Sequence, residues 1–306
     1  MQDADTPVLI CVVGPTAIGK TSLSIKLATA FGTEIIAADS RQFYKEMEIG
    51  TAVPSRTELE AATHHFVQHK SIFESYSVGD FERDVIELLD NLFQKHQVLV
   101  MVGGSGLYVD AVAKGLDTFP AVPPVIREQL NTELEHHGVT VLQQELRKVD
   151  PDYYQKVDIH NPHRLIRALE IYRATGHPYS SFLNKNSSKR NFKTVYVGLT
   201  APREIIYDRI NTRVDQMIAD GLEDEAHTLY PHRHLNALQT VGYKELFSYF
   251  DGEISREQAI SEIKKNTRRF AKRQGTWFRK NEAITWFDYD AEFSEVISEI
   301  KAKNAL

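Results

Sequence analysis

Gly14 to Thr21 read G-P-T-A-I-G-K-T, a complete G-x-x-x-x-G-K-[ST] spacing. In such a loop the backbone N–H groups converge on a phosphate, the lysine adds a point charge and the threonine hydroxyl is placed for Mg²⁺. Asp39 is the second chemically suggestive residue, and two roles are open to it. An acid at the end of the apolar run Glu34-Ile35-Ile36-Ala37-Ala38 can hold Mg²⁺ through water, as in nucleotide-hydrolysing loops, or can act as a general base toward an incoming nucleophile. Ser40, Arg41 and Gln42 follow directly and carry groups able to hydrogen-bond a base edge. Arg209 and Arg213 stand four apart, so on a helix they share a face. They could clamp a diphosphate or pair with neighbouring acids.

These residues need a scaffold, and the flanking pattern predicts one. Val8 to Val13 is a continuous apolar run, as expected of a strand buried on both faces of a parallel sheet. Leu23, Leu27 and Phe31 then fall on one helical stripe, with Gly32 as the stop. Glu34 to Ala38, Val98 to Val102 and Thr194 to Leu199 read as further strands, ending at Asp39-Ser40, Gly103-Gly104 and Thr200. In open α/β sheets ligands bind beyond the carboxyl ends of the strands, which makes Asp39, Ser40, Gly104 and Ser105 site candidates. The fold class expected is α/β: a P-loop NTPase-like parallel sheet core flanked by helices, with an all-helical insertion domain.

The insertion is expected over 119–191, with the core formed by 1–118 and 192–306. Pro120, Pro123 and Pro124 open it, no strand-like run interrupts it, and the polar stretch Asn184 to Arg190 closes it, so it is joined at two loops and able to swing. Within it Asn161 is placed to cap a helix with Pro162 at its first position, carrying His163, Arg164 and Arg167. Those cations could meet an anionic ligand or pair with Glu170.

Composition narrows the class. Cys11 is the single cysteine of 306 residues, which excludes intrachain disulfides and cysteine-based zinc sites. The twelve histidines, including His64-His65, His136-His137 and His232/His234, lie in polar stretches expected at the surface, without the partners of a zinc site. No apolar run reaches membrane-spanning length, and Met1 to Pro7 is short and acidic for a targeting peptide, so a cytoplasmic enzyme is expected. The net charge of −6 hides an asymmetry. Lys264, Lys265, Arg268, Arg269, Lys272, Arg273, Arg279 and Lys280 follow one another with no acid among them. On a helix they cover about half the circumference, with Ile263, Phe270, Ala271, Trp277 and Phe278 opposite and Gly275 the one weak point. Such a face suits a polyanion.

Four patches together resemble the tRNA dimethylallyltransferase (tRNA isopentenyltransferase) family, bacterial type. They are G-P-T-A-I-G-K-T at Gly14 to Thr21, D-S-R-Q-F-Y-K-E-M-E-I-G-T-A at Asp39 to Ala52, V-G-G-S-G-L-Y at Val102 to Tyr108, and K-R-Q-G-T-W-F-R at Lys272 to Arg279. The resemblance implies transfer of a dimethylallyl group from dimethylallyl diphosphate to N6 of the adenosine 3′ of the anticodon, in tRNAs reading codons that begin with U. The loop Gly14, Pro15, Thr16, Ala17, Ile18, Gly19, Lys20 and Thr21, with Arg209, would then hold the diphosphate, and Mg²⁺ would sit near Thr21. Asp39, Thr21, Lys20 and Arg213 would be catalytic, Asp39 accepting the N6 proton. The tRNA contacts implied are Asp39, Ser40, Arg41, Gln42, Ser105 and Arg127; His163, Arg164, Leu165, Ile166 and Arg167; and Lys272, Arg273, Gln274, Trp277 and Arg279. His163 replaces the usual glutamine of that second element, and Val241 to Lys244 matches a further tRNA-contacting patch. The partners are tRNA and dimethylallyl diphosphate, with no membrane and a monomeric enzyme. Eukaryotic relatives often carry a C-terminal zinc finger, which this chain lacks.

Two other readings use the same loop. An adenylate isopentenyltransferase would accept a free adenine nucleotide, and would need neither the helical insertion nor the basic segment. A P-loop nucleotide kinase binding ATP would want an acid ending Val98 to Val102, where Gly103-Gly104 stand.

Overall fold

The computed structural model describes residues 6–183 and 189–304. Most of the polar stretch expected to close the insertion, Asn184 to Ser188, lies outside the described residues, as does most of Met1 to Pro7. The chain forms two compact units, Met1–Ala113 with Arg190–Leu306, and Lys114–Lys189.

The first unit is built on six parallel strands: β1 (Val8–Val13), β2 (Ile35–Ala37), β3 (His64–His65), β4 (Val98–Gly103), β5 (Lys193–Thr200) and β6 (Ile284–Asp288). Their order is β3-β2-β4-β1-β5-β6. β1 sits between β4 and β5 in register Val8 opposite Val98 and Lys193. Alternation along this doubly covered strand sends Leu9, Cys11 and Val13 to one core and Val8, Ile10 and Val12 to the other. Burial drives the Cys11 thiol well above the ordinary range, which makes it an inert core residue.

Four helices link the strands of the first half: α1 (Lys20–Phe31), α2 (Arg56–Ala61), α3 (Val78–Leu92) and α4 (Gly106–Lys114). Leu23 and Leu27 of α1 pack under the sheet, and Gly32 ends the helix in the left-handed conformation. The second unit contains α5 (Pro124–His137), α6 (Val139–Val149), α7 (Pro151–Tyr154) and α8 (Pro162–Thr175), closed over Leu130, Leu142, Leu146, Leu165 and Leu169. Asn161 stands at the N-cap of α8 with Pro162 at the first position, but its side chain makes no capping bond. Arg190 belongs to the core unit rather than the insertion: it donates to the carbonyls of Ala111 and Val112 and pairs with Glu82.

The chain then adds α9 (Arg203–Ala219), α10 (Leu222–Leu229), α11 (Tyr243–Phe250), α12 (Arg256–Phe278) and, after β6, α13 (Phe293–Asn304). α9 to α12 enclose a third apolar cluster around Val214, Leu222, Tyr243, Leu246 and Ile263. α12 runs unbroken through Gly275. β3 and β6 are strands with no counterpart in the sequence expectation. His64-His65 is therefore half-buried at a sheet edge rather than surface loop, with His65 Nε2 2.5 Å from Glu34. Among the described residues no cluster of three or more His, Cys, Asp or Glu is arranged to hold a metal ion, and no helix is long and apolar enough to cross a membrane.

Candidate active site

The phosphate loop leaves β1 and enters α1 with a backbone that few residues tolerate. Gly14 has φ 143° and Gly19 φ 110°, and a side chain on Gly14 would also meet the Leu199 carbonyl at 2.7 Å. Ala17, at φ 63°, holds the same left-handed region without glycine's freedom. The first N–H groups of α1 have no intrahelical partner, and the helix dipole adds positive potential there. Lys20 donates to the Pro15 carbonyl at 2.8 Å. Desolvation brings its ammonium down to about 8, with Asp39 opposing the shift and Arg213 adding to it. Not every loop position offers a donor: Pro15 has no N–H, and that of Thr16 is committed to Gln274 at 2.9 Å.

Asp39 is delivered beside this loop by the neighbouring strand ends. Ala38 N–H donates to Val102 O at 2.7 Å, which carries the chain from β2 alongside β4. Asp39 Oδ1 then accepts the Arg41 N–H at 3.1 Å, a turn that fixes the carboxyl group. Ser105 Oγ lies 3.3 Å from both the Ser40 amide and the Ser40 hydroxyl. Asp39, Ser40, Ser105, Thr16 and Arg213 all line one cavity of about 700 Å³, whose other wall is the apolar group Ile210, Val214, Met217, Leu222 and Ile263. Burial lowers the Arg213 guanidinium from its ordinary range, while Glu58 and Asp39 pull the other way.

The IPP transferase family model matches residues 42–281. The chain belongs to this family. The tRNA dimethylallyltransferase of Christiangramia forsetii is 63% identical over 295 residues, covering 96% of this chain and 98% of the relative. That of Flavobacterium psychrophilum is 57% identical over 301 residues, with the same coverage. Among solved structures, the full-length tRNA isopentenylpyrophosphate transferase from Bacillus halodurans superposes with TM-score 0.71 at 40% identity, covering 97% of this chain and 95% of that one. A eukaryotic dimethylallyltransferase acting on tRNA superposes at 0.79 with 26% identity, over 97% of this chain and 77% of that one. The parallel sheet with its phosphate loop is thus the fold of IPP transferases, and the sheet order here is that of a P-loop-type core.

In this IPP transferase several candidate side chains have different work from that expected. Arg41 donates to the carbonyls of Asn236 and Ala237, and Gln42 to those of Thr51 and Ala52, so both brace the cavity wall instead of presenting free base-reading groups. Arg209 donates to Ile18 O and stacks on Tyr289, supporting the phosphate loop from behind, whereas Arg213 faces the cavity. Leu165 and Ile166 are core residues of the helical unit, because α8 turns that face inward. Arg127 and Arg167 both bind the carboxylate of Glu170, itself 2% exposed, while His163 and Arg164 are exposed. Tyr243, in the Val241 to Lys244 patch, is fully buried, although Val241 and Lys244 reach the cavity.

The basic face of α12 is shorter than its sequence suggests. Lys264 pairs with Asp215 of α9, Lys265 with Glu262 of α12 itself, and Arg268 donates to Asn211 of α9, so the first cations of the face are already engaged. Arg269, Lys272, Arg273, Arg279 and Lys280 stay exposed. Phe270 and Trp277, expected on the buried half, are 38% and 41% exposed and line the same cavity. Trp277 Nε1 donates to Asp110.

Glu225 escaped the sequence signals altogether. It stands in the acid-rich first turn of α10, where charge suggests only a helix-dipole role. Its carboxylate accepts the N–H groups of Glu48, Ile49 and Gly50 at 2.8 to 2.9 Å and the Tyr243 hydroxyl at 2.6 Å. It thereby anchors the far end of the segment that begins at Asp39. Glu225→Ala leaves these donors unmatched, for an expected loss of about 2 kcal/mol, seen as a melting point lower by about 4–8 °C in calorimetry.

Proposed function

We propose that the enzyme transfers a dimethylallyl group from dimethylallyl diphosphate to N6 of the adenosine immediately 3′ of the anticodon, in tRNAs that read codons beginning with U. The observation that carries the reading is the shared cavity. Its polar end brings Asp39 and Arg213 to the phosphate loop, and its apolar wall of Ile210, Val214, Met217 and Leu222 suits a branched alkenyl chain. In the transfer the donor's C–O bond breaks, the N6–C bond forms, the electron pair leaves with diphosphate, and the N6 proton passes to Asp39. Lys20, Arg213 and the loop amides stabilise charge that grows on the leaving group. A stacked adenine cannot reach this depth, so the base is flipped at a cost of about a few kcal/mol.

Mg²⁺ fits here: among the described residues the Thr21 hydroxyl, in the first turn of α1, makes no hydrogen bond, and it offers a hard oxygen. When bound there, the ion would neutralise diphosphate charge. The exposed cations of α12 and the Glu170-held arginines of the helical unit are the proposed phosphate contacts for tRNA. The enzyme is proposed to work as a monomer where tRNA resides, in the cytoplasm.

Radiolabelled dimethylallyl diphosphate offered with unmodified tRNA, or with AMP, tests the reading. Label is expected in tRNA at the base next to the anticodon; label in AMP alone would establish the free-nucleotide alternative instead.

A further inference from the structure

Gln274 lies within K-R-Q-G-T-W-F-R, directly after the two exposed cations Lys272 and Arg273, where a direct tRNA contact is the natural reading of sequence. The side chain points the other way and is 6% exposed. Its Oε1 accepts the Thr16 N–H of the phosphate loop at 2.9 Å, and its Nε2 donates to the Gly104 carbonyl at 2.9 Å. Gly104 precedes Ser105, whose hydroxyl in turn meets Ser40, the residue after Asp39. A Cβ on Gly104 would come within 2.2 Å of Nε2, so the backbone approaches as closely as only glycine permits.

One amide therefore ties together the two strand-end loops that the site depends on, and does so from the helix bearing the basic face. A buried amide with its acceptor and one donor both satisfied has a single orientation, since a flipped amide would set N–H against N–H and O against O. We infer that Gln274 is a positioning residue for donor binding: it locks the first half of the phosphate loop in its diphosphate-receiving conformation, and it makes no contact with tRNA. This rests on the proposed use of the loop for diphosphate. Lys272 and Arg273 beside it are exposed, and Arg273 also reaches the cavity, so the buried Gln274 amide stands apart from its charged neighbours in what it holds.

The test uses the full chain with two variants. Gln274→Met keeps the length of the side chain and removes both bonds. Gln274→Glu keeps an acceptor for Thr16 but sets a carboxylate against the Gly104 carbonyl. Binding of inorganic diphosphate by calorimetry is expected to weaken about tenfold in each, the scale of one or two lost hydrogen bonds, with KM for the donor rising in step. Affinity for an unmodified anticodon stem-loop is expected to stay within about twofold of the parent, since no phosphate contact is lost. In the parent, the Thr16 amide is expected to exchange slowly with solvent, and to exchange faster in whichever variant folds. Weakened stem-loop binding with unchanged diphosphate binding, or a Thr16 amide that exchanges freely in the parent, would overturn the assignment. Lys20→Ala separates the two levels: if it leaves diphosphate binding intact, the loop's proposed ligand is wrong, whereas loss with Lys20→Ala but not with Gln274→Met sinks the Gln274 role alone.

Discussion

Asp39→Asn is expected to lower kcat by about 10²–10⁴, the range for a positioned general base, while tRNA affinity and its salt dependence stay near the parent values. The substitution preserves the shape of the side chain and its acceptance of the Arg41 N–H, so the turn that places it survives. What is lost is proton uptake from N6 as the new bond forms. Single-turnover kinetics with saturating tRNA and donor isolate that step from product release. A rate within a few-fold of the parent would remove Asp39 from the base role and leave the indirect metal role that its strand-end position also allows.

Lys20 should produce the second large effect, with a definite dependence on pH. Lys20→Ala is expected to cost about 10²–10³ in kcat/KM through lost stabilisation of the leaving diphosphate. In the parent, burial brings Lys20 from the ordinary 10.5 to about 8. Bound diphosphate favours the ammonium, so donor binding takes up a proton above that value. Affinity is therefore expected to be full below about pH 8 and to fall as pH rises through it. Stability of the ligand-free protein runs the opposite way: between about 8 and 10.5 the unfolded chain holds more protons on this group, so its contribution to stability increases with pH. Lys20→Arg, which stays charged, should flatten the donor-affinity profile over that window. Isothermal titration with inorganic diphosphate from pH 7 to 9.5 reads the effect directly, and a flat parent profile would refute it.

The legible parts of this protein share a length scale. The phosphate loop, the boundary between β1 and α1, and the Gly32 stop are specified by residues within a few positions of each other, through φ preference, capping and burial. The strands ending at Asp39 and Gly103 could be read because apolar runs bounded by small or polar residues suffice to mark them. β3 and β6 escaped notice because His64-His65 is too short and polar to show a pattern, and Ile284–Asp288 is an edge strand with mixed burial.

Where contacts cross long stretches of chain, residue type alone could not name the partner. Gln274 and Thr16 are 258 positions apart, and nothing in K-R-Q-G-T-W-F-R distinguishes a glutamine facing RNA from one facing the phosphate loop. Arg41 and Gln42 are equally ambiguous until the carbonyls of Asn236, Ala237, Thr51 and Ala52 come into place. The cations of α12 seemed unopposed because Asp215 and Asn211 belong to another helix.

By itself, then, the sequence determined the chemistry available: a phosphate-binding loop, an acid at an adjacent strand end, and an excess of positive charge on one late helix, since these follow from local spacing and side-chain type. Only the tertiary structure decided which of those groups face the cavity and which hold it in shape. That choice depends on hydrogen-bond partners brought together by sheet order and helix packing, and a buried amide or carboxylate takes whatever orientation satisfies its donors and acceptors.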